Sequence, residues 1–175
     1  MSFDVLVREA LPTDAAAMRL AVIAVHTKTG NLKHAPQLAI ESEEEQAARI
    51  QRMTAQEDNL MLLAEDMVHG QVVGTLTCRR EAELGRTHAA VLDLLVVPAW
   101  LGRGADTALL KEAIGWARRH KYLSRLELVV PRHPAINFAD LEALGFVREG
   151  TAHGWTRINN KLIDAEYLAL NNVRA

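Results

Sequence analysis

The stretch that most constrains this chain is VVPAWLGRGADTALL, residues 96–110. An apolar run ends at Pro98, Gly102 and Gly104 bracket Arg103, and apolar residues then recur at helical spacing. This reads as a strand, a tight turn and a helix start. The first amides of such a helix lack intrahelical acceptors, and they point the same way as the positive end of the helix dipole. A corner of that kind binds phosphate. The expected ligand is therefore a phosphate-bearing small molecule.

The rest of the composition narrows the field by exclusion. With 175 residues, the chain is expected to form one domain over 1–175, long enough to bury a proper core. Its 20 Lys and Arg against 22 Asp and Glu give a formal charge of −2, which argues against nucleic acid or an anionic membrane as the main partner. No window approaches the ~18 apolar residues of a membrane span. The opening MSFDVLVREA carries an acid and no long apolar stretch, unlike a signal peptide. The lone Cys78 lies in an apolar run and reads as a small buried residue, so a reducing, cytoplasmic setting is expected. The seven histidines offer no i, i+4 pair and no HExxH, so no metal is expected. Trp100, Trp116 and Trp155 form no base-stacking run, and Trp100 reads as a packing residue.

Periodicity and turn residues predict an α/β chain of order β-α-α-β-β-β-α-β-α-β-β, a mixed sheet with helices on both faces. A strand is expected over residues 3–8. A helix capped by Thr13 or Asp14 should run through Val25, followed by a loop over residues 27–39. Ser42 caps a second helix reaching about Met53, with Glu43, Glu44 and Glu45 in its first turn. Strands over residues 59–64 and 71–79 flank a turn at His69-Gly70, and a continuous apolar strand spans 89–97. After the helix of residues 105–120 come a strand over 125–130, a helix over 135–144, and strands over 146–157 and 162–170 joined through Asn159-Asn160. The strands near residues 95 and 128, joined by one crossover helix, should be parallel.

Two common phosphate motifs fail. No Gly-x-x-x-x-Gly-Lys-Ser/Thr occurs, and a dinucleotide fingerprint would need glycine where Thr107 stands. What the chain resembles is the GNAT acetyltransferase superfamily, from about residue 3 to residue 170. The resemblance is carried by Val73-Gly74-Thr75 in the hairpin, Leu94-Leu95-Val96-Val97-Pro98, Gly102-Arg103-Gly104, Ala108-Leu109-Leu110, and Leu144-Gly145-Phe146 with the strand after it. It implies a GNAT-like fold and an N-acetyltransferase that uses acetyl-coenzyme A. By the same resemblance, Gly102, Arg103, Gly104, Ala105 and Thr107 line the pyrophosphate pocket. Backbone groups of Leu95, Val96 and Val97 pair with the pantetheine arm. The acceptor would be a small-molecule or peptide amine, roofed by residues 27–42, and similar proteins are often homodimers.

Three positions depart from the family pattern. Leu101 stands where Gln or Arg is usual, and Asp106 where Gly or Ala is usual. No tyrosine occupies the usual proton-donor place before Leu144-Gly145-Phe146, where Ala139 or Leu141 falls instead. The helix there reads as slightly long, with His133 or Pro134 at the usual place of an asparagine. Asp106 suits a helix start but opposes an anion a few Å away by about 1 kcal/mol. A second reading is thus a non-catalytic acyl-coenzyme A binder or interaction module that keeps the fold. For catalysis, Val96 N–H is the candidate donor to the thioester carbonyl. Asp93 is the first candidate for the base and Glu127 the second. His88 reads as a loop-edge alternative, Tyr167 as a core residue, and solvent or His133 as the proton source for the leaving thiol. The acidic run of residues 41–45 offers attraction for a cationic amine or, more plainly, a solvated helix cap.

Overall fold

The computed structural model describes residues 5–29, 41–134, 136–158 and 160–173. Its elements are β1 (Val5–Glu9), α1 (Ala15–Thr29), α2 (Glu43–Thr54), β2 (Asn59–Asp66), β3 (Val72–Arg80), β4 (Ala89–Val96), α3 (Ala105–Arg119), β5 (Arg125–Pro131), α4 (Phe138–Ala143), β6 (Val147–Ile158) and β7 (Lys161–Asn171). Their order is the one that periodicity predicts. The strands form one sheet, β1-β2-β3-β4-β5-β7-β6, and every neighbouring pair is antiparallel except β4 and β5.

Local chemistry sets the element ends. Ser42 Oγ accepts from Glu45 N–H at 3.2 Å while the Glu45 carboxylate accepts from Ser42 N–H at 2.7 Å, a reciprocal cap that starts α2. Helix α1 overruns its expected end and reaches Thr29, while residues 30–40 of the expected roof lie outside the described residues. Helix α4 is shorter than its predicted span. Asn137 caps it through Ala139 N–H, and Gly145, at φ 95°, stops it.

Each face of the sheet buries a separate cluster. Leu62, Leu76, Leu92 and Leu126 pack against Leu109, Leu110, Ala113 and Ala117 of α3. On the opposite face Met61 and Leu63 pack against Met18 and Ala21 of α1 and Ile50 of α2. Burying each large side chain contributes about 1.5–3 kcal/mol, and a slip of one residue would send every one to the wrong face, so the register is fixed.

The feature that makes the site is a parting in the sheet. β4 and β5 pair only from Ala89↔Arg125 to Leu92↔Leu128. Beyond that, β4 stays with β3 up to Gly74↔Val96, and β5 stays with β7 up to Pro131↔Ala165. The two strands diverge from Asp93 and Val129 onward.

Candidate active site

A cleft of about 740 Å³ fills the gap between the diverging strands. Its floor is the α1/α2 side of the sheet, where Thr75 and Thr77 of β3 sit opposite Leu95 and Asp93 of β4. Met18 and Val22 of α1, with Gln46, Arg49 and Met53 of α2, form one wall; Val129, Arg132 and His133 at the end of β5, with Trp155 of β6, form the other. One end of the cleft reaches Leu101, the first residue of the glycine corner.

Strand geometry decides which β4 amides face this gap. Val97 N–H donates to Val73 O at 2.8 Å, and its carbonyl accepts from Trp100 N–H at 2.7 Å. Backbone groups alternate along a strand, so Leu95 also points to β3, while Leu94 and Val96 point toward the parted edge. Val96 thus turns its backbone toward the gap. Val97 brings no free amide, Leu95 contributes its side chain, and Leu94 takes the place expected of both. Sequence alone gives no phase for this alternation.

At the corner both glycines have positive φ, 68° for Gly102 and 92° for Gly104. A side chain there would be strained, so the turn depends on glycine. No atom lies within 4 Å of the point where a Gly104 Cβ would stand, which leaves that side of the backbone open. The first helical bond of α3 is Ala108 N–H to Gly104 O, so the amides of Gly104, Ala105 and Asp106 precede the ladder. Ala105 itself is fully buried beneath them. Thr107 differs from expectation: its amide donates to Asp106 Oδ1 at 2.8 Å. The unusual acid thus occupies one of the amides that the corner would offer to an anion.

The two candidate bases part company. Asp93 lies on the cleft floor, 3.2 Å from an Arg79 nitrogen, and is the one carboxylate among the described lining residues. Glu127 lies outside the cleft lining. Its oxygens accept from Arg125 Nε and from Arg86, both at 2.6 Å. His88 is exposed at a loop edge, as expected. Tyr167 is not in the core: it is 42% exposed and meets Trp155 edge-on at 5.9 Å. Cys78 is fully buried, which pushes its thiol up to about 12 and removes it as a nucleophile. The acids of residues 43–45 cap α2 and face solvent, and Glu41 pairs with Arg49.

Sequence reasoning missed Gln46, Arg49, Arg132 and Trp155. The first two stand with Met53 on one stripe of α2, spaced i, i+3, i+7. Trp155 is aimed by a bulge in which residues 153–155 of β6 face only Asp164 of β7, with Gly154 at φ 61°. Asp164 holds that bulge by accepting from Gly154 N–H at 2.9 Å and from His153 at 3.0 Å, and these donors keep its carboxyl below the usual range. The Arg132 guanidinium and the Thr151 hydroxyl do the same for the buried Glu166.

Asp14 beside Arg8, Asp58 beside Arg80, Asp66 beside His69 and Glu149 beside Arg125 are lowered too. Folded values below the ordinary 3.8 and 4.5 mean that these groups stabilise the fold above that range and stop doing so as pH falls through their folded values. Melting temperature measured by circular dichroism is expected to change little from about pH 7 to 5 and to drop steeply below about pH 4.

Among the described residues no His, Cys, Asp and Glu group is placed to hold a metal, and no helix is long and apolar enough to cross a membrane. The model of the acetyltransferase (GNAT) family matches residues 27–146. The chain belongs to that family. It is 33% identical over 104 residues to the L-amino acid N-acetyltransferase AaaT of Escherichia coli (strain K12), a match covering 58% of this chain and 63% of that protein, under two thirds of its length. The GNAT fold is shared with a GNAT-family acetyltransferase from Streptococcus pneumoniae at TM-score 0.83 and 24% identity, over 96% of this chain and 99% of that one. YncA of Salmonella typhimurium, determined with acetyl-CoA, aligns at TM-score 0.78 and 18% identity over 95% of this chain and 93% of its own.

Proposed function

We propose that this GNAT protein transfers acetyl from acetyl-coenzyme A to the primary amine of a small molecule or peptide by direct attack. The observation that carries this reading is a single continuous groove. It runs from Asp93, the one carboxylate among the described lining residues, along the parted edge of β4 to Leu101, the residue that precedes the glycine corner. Relatives of the same fold from Salmonella typhimurium and Sinorhizobium meliloti were determined with acetyl-CoA, which supports the choice of cosubstrate.

When bound, acetyl-coenzyme A supplies an acetyl group activated as a thioester. The amides of Gly102, Gly104 and Asp106 hold the diphosphate, and Arg103 adds a cation at the same corner. Leu94 and Val96 pair with the pantetheine arm, and Val96 N–H orients the carbonyl. Asp93 takes the proton from the acceptor ammonium, leaving a neutral amine able to attack. Solvent or His133, which lines the cleft, returns a proton to the departing thiol. The chain thus dispenses with a tyrosine: Leu141, at one candidate position, is a buried core residue.

The test pairs thermal shift with acetyl-coenzyme A and thiol release in the presence of amine pools. A ligand well above its dissociation constant must raise stability, so no shift at ~1 mM overturns the reading. Asp93→Asn is expected to keep the shift and to lose roughly 10²–10⁴-fold in turnover. Full turnover in that variant removes Asp93 as the base.

A further inference from the structure

Among the described residues, Gln46 is the one buried side chain whose polar atoms meet no hydrogen-bond partner. It is fully buried, it lines the cleft, and both Nε2 and Oε1 are open. The charged groups of the lining are not in that condition. Arg49 pairs with Glu41, Arg79 with Asp93, and Arg132 with Glu166 and Asp164. A buried carboxamide left open costs stability unless something fills its bonds when the site is in use.

The fold brings Gln46 and the candidate base to one space. Ile50, one turn along α2 from Gln46, is buried in a cluster with Met61 of β2. Met61 is the register partner of Thr77, and Thr77 of Asp93, so these three side chains share the sheet face on which α2 packs. Gln46 therefore reaches the cleft from the helix layer and Asp93 from the sheet beneath it.

We infer that Gln46 is a catalytic residue whose carboxamide pairs edge-on with the acceptor nitrogen and the acetyl oxygen while the new amide bond forms. In that transfer the acceptor ammonium gives one proton to Asp93. Its nitrogen then bonds to the acetyl carbon, the carbon–sulfur bond breaks with its electron pair on sulfur, and the second proton leaving nitrogen balances the one that solvent or His133 returns to the thiol. While nitrogen and oxygen share the same carbon, an N–H and an oxygen gaining negative charge stand side by side. A carboxamide offers a matching edge: Oε1 accepts the N–H and Nε2 donates to the oxygen. In the finished amide the N–H and C=O point in opposite directions, so the match belongs to the bond-forming stage. The inference rests on the acetyl-transfer reading and adds a residue to its machinery; it holds for any primary amine.

The experiment follows acetyl transfer to 3-methylbutylamine, spermidine, L-methionine and alanylglycine in the parent and in Gln46→Met, with Gln46→Leu as a second apolar variant. The methionine keeps the volume and removes both polar atoms. For each amine that the parent uses, kcat and kcat/KM are expected to fall together by about 100-fold. The dissociation constant of acetyl-coenzyme A should hold within about twofold, and the melting temperature without ligand should rise, because the open amide is gone. Parent-like kcat in the variants overturns the role of Gln46 and leaves the transferase reading intact. A loss carried by acceptor KM alone overturns the pairing with the reacting atoms, and a lost kcat with a lowered melting temperature makes Gln46 a structural residue. No transfer to any of the four amines by the parent overturns the transferase reading, and this inference with it.

Discussion

Gly104→Glu is expected to abolish thermal stabilisation by acetyl-coenzyme A and to raise its dissociation constant by about 100-fold or more, because a carboxylate then stands at the proposed diphosphate site. The fold should survive the change. Nothing lies within 4 Å of the added Cβ, so the structural cost is the strain of a side chain at φ 92°, about 1–2 kcal/mol. Gly104→Ala carries that strain without the charge and should keep most of the shift. If both variants bind alike, the corner is not the phosphate site. Asp106→Gly is the companion with opposed signs. It frees Thr107 N–H from the carboxylate and removes a negative charge, so affinity should rise several-fold. It also strips an acid from the first turn of α3, so unliganded stability should fall by about 0.3–1 kcal/mol. Calorimetric titration and melting of the same sample read both signs.

Gly74→Val is expected to cost about 3 kcal/mol, which for a chain of this size lowers the melting temperature by roughly 10 °C. A Cβ at Gly74 would stand 3.0 Å from Leu109 Cδ1 and 3.2 Å from the Leu95 carbonyl oxygen. Leu109 of α3 is fully buried against the sheet, and the Leu95 oxygen belongs to the backbone, so neither neighbour yields cheaply. Gly74 is also the register partner of Val96. Relief of the clash therefore displaces the end of β4 whose amides face the cleft, and acetyl-coenzyme A affinity should fall along with stability. Parent-like melting in this variant would show that β3, β4 and α3 are not held so closely.

Features that rest on neighbouring residues were legible in the chain. The strand–glycine–helix corner, the Ser42 cap and the parallel β4–β5 pair follow from local period and turn chemistry, and all three stand as read. Features that rest on distant partners were not. Glu127 alternates with leucines and so reads as a strand polar residue, but only the folded sheet brings Arg86 beside it. Tyr167 lies between Glu166 and Leu168 in a strand whose next-but-one neighbours are mostly apolar, yet its partner is a tryptophan aimed by a bulge. Gln46, amid EEEQAAR, looks like any solvated helix residue. Its burial comes from packing against α1 and β2, which no window of sequence reports.

The parting of β4 from β5 has a consequence for how such proteins diversify. The glycine corner and the amides of β4 belong to one half of the sheet, while Arg132, His133 and Trp155 belong to the other. On the proposed function, the acyl donor would be held from the β4 half alone, so substitutions along β5, β6 and β7 are expected to alter the choice of amine more than the affinity for acetyl-coenzyme A.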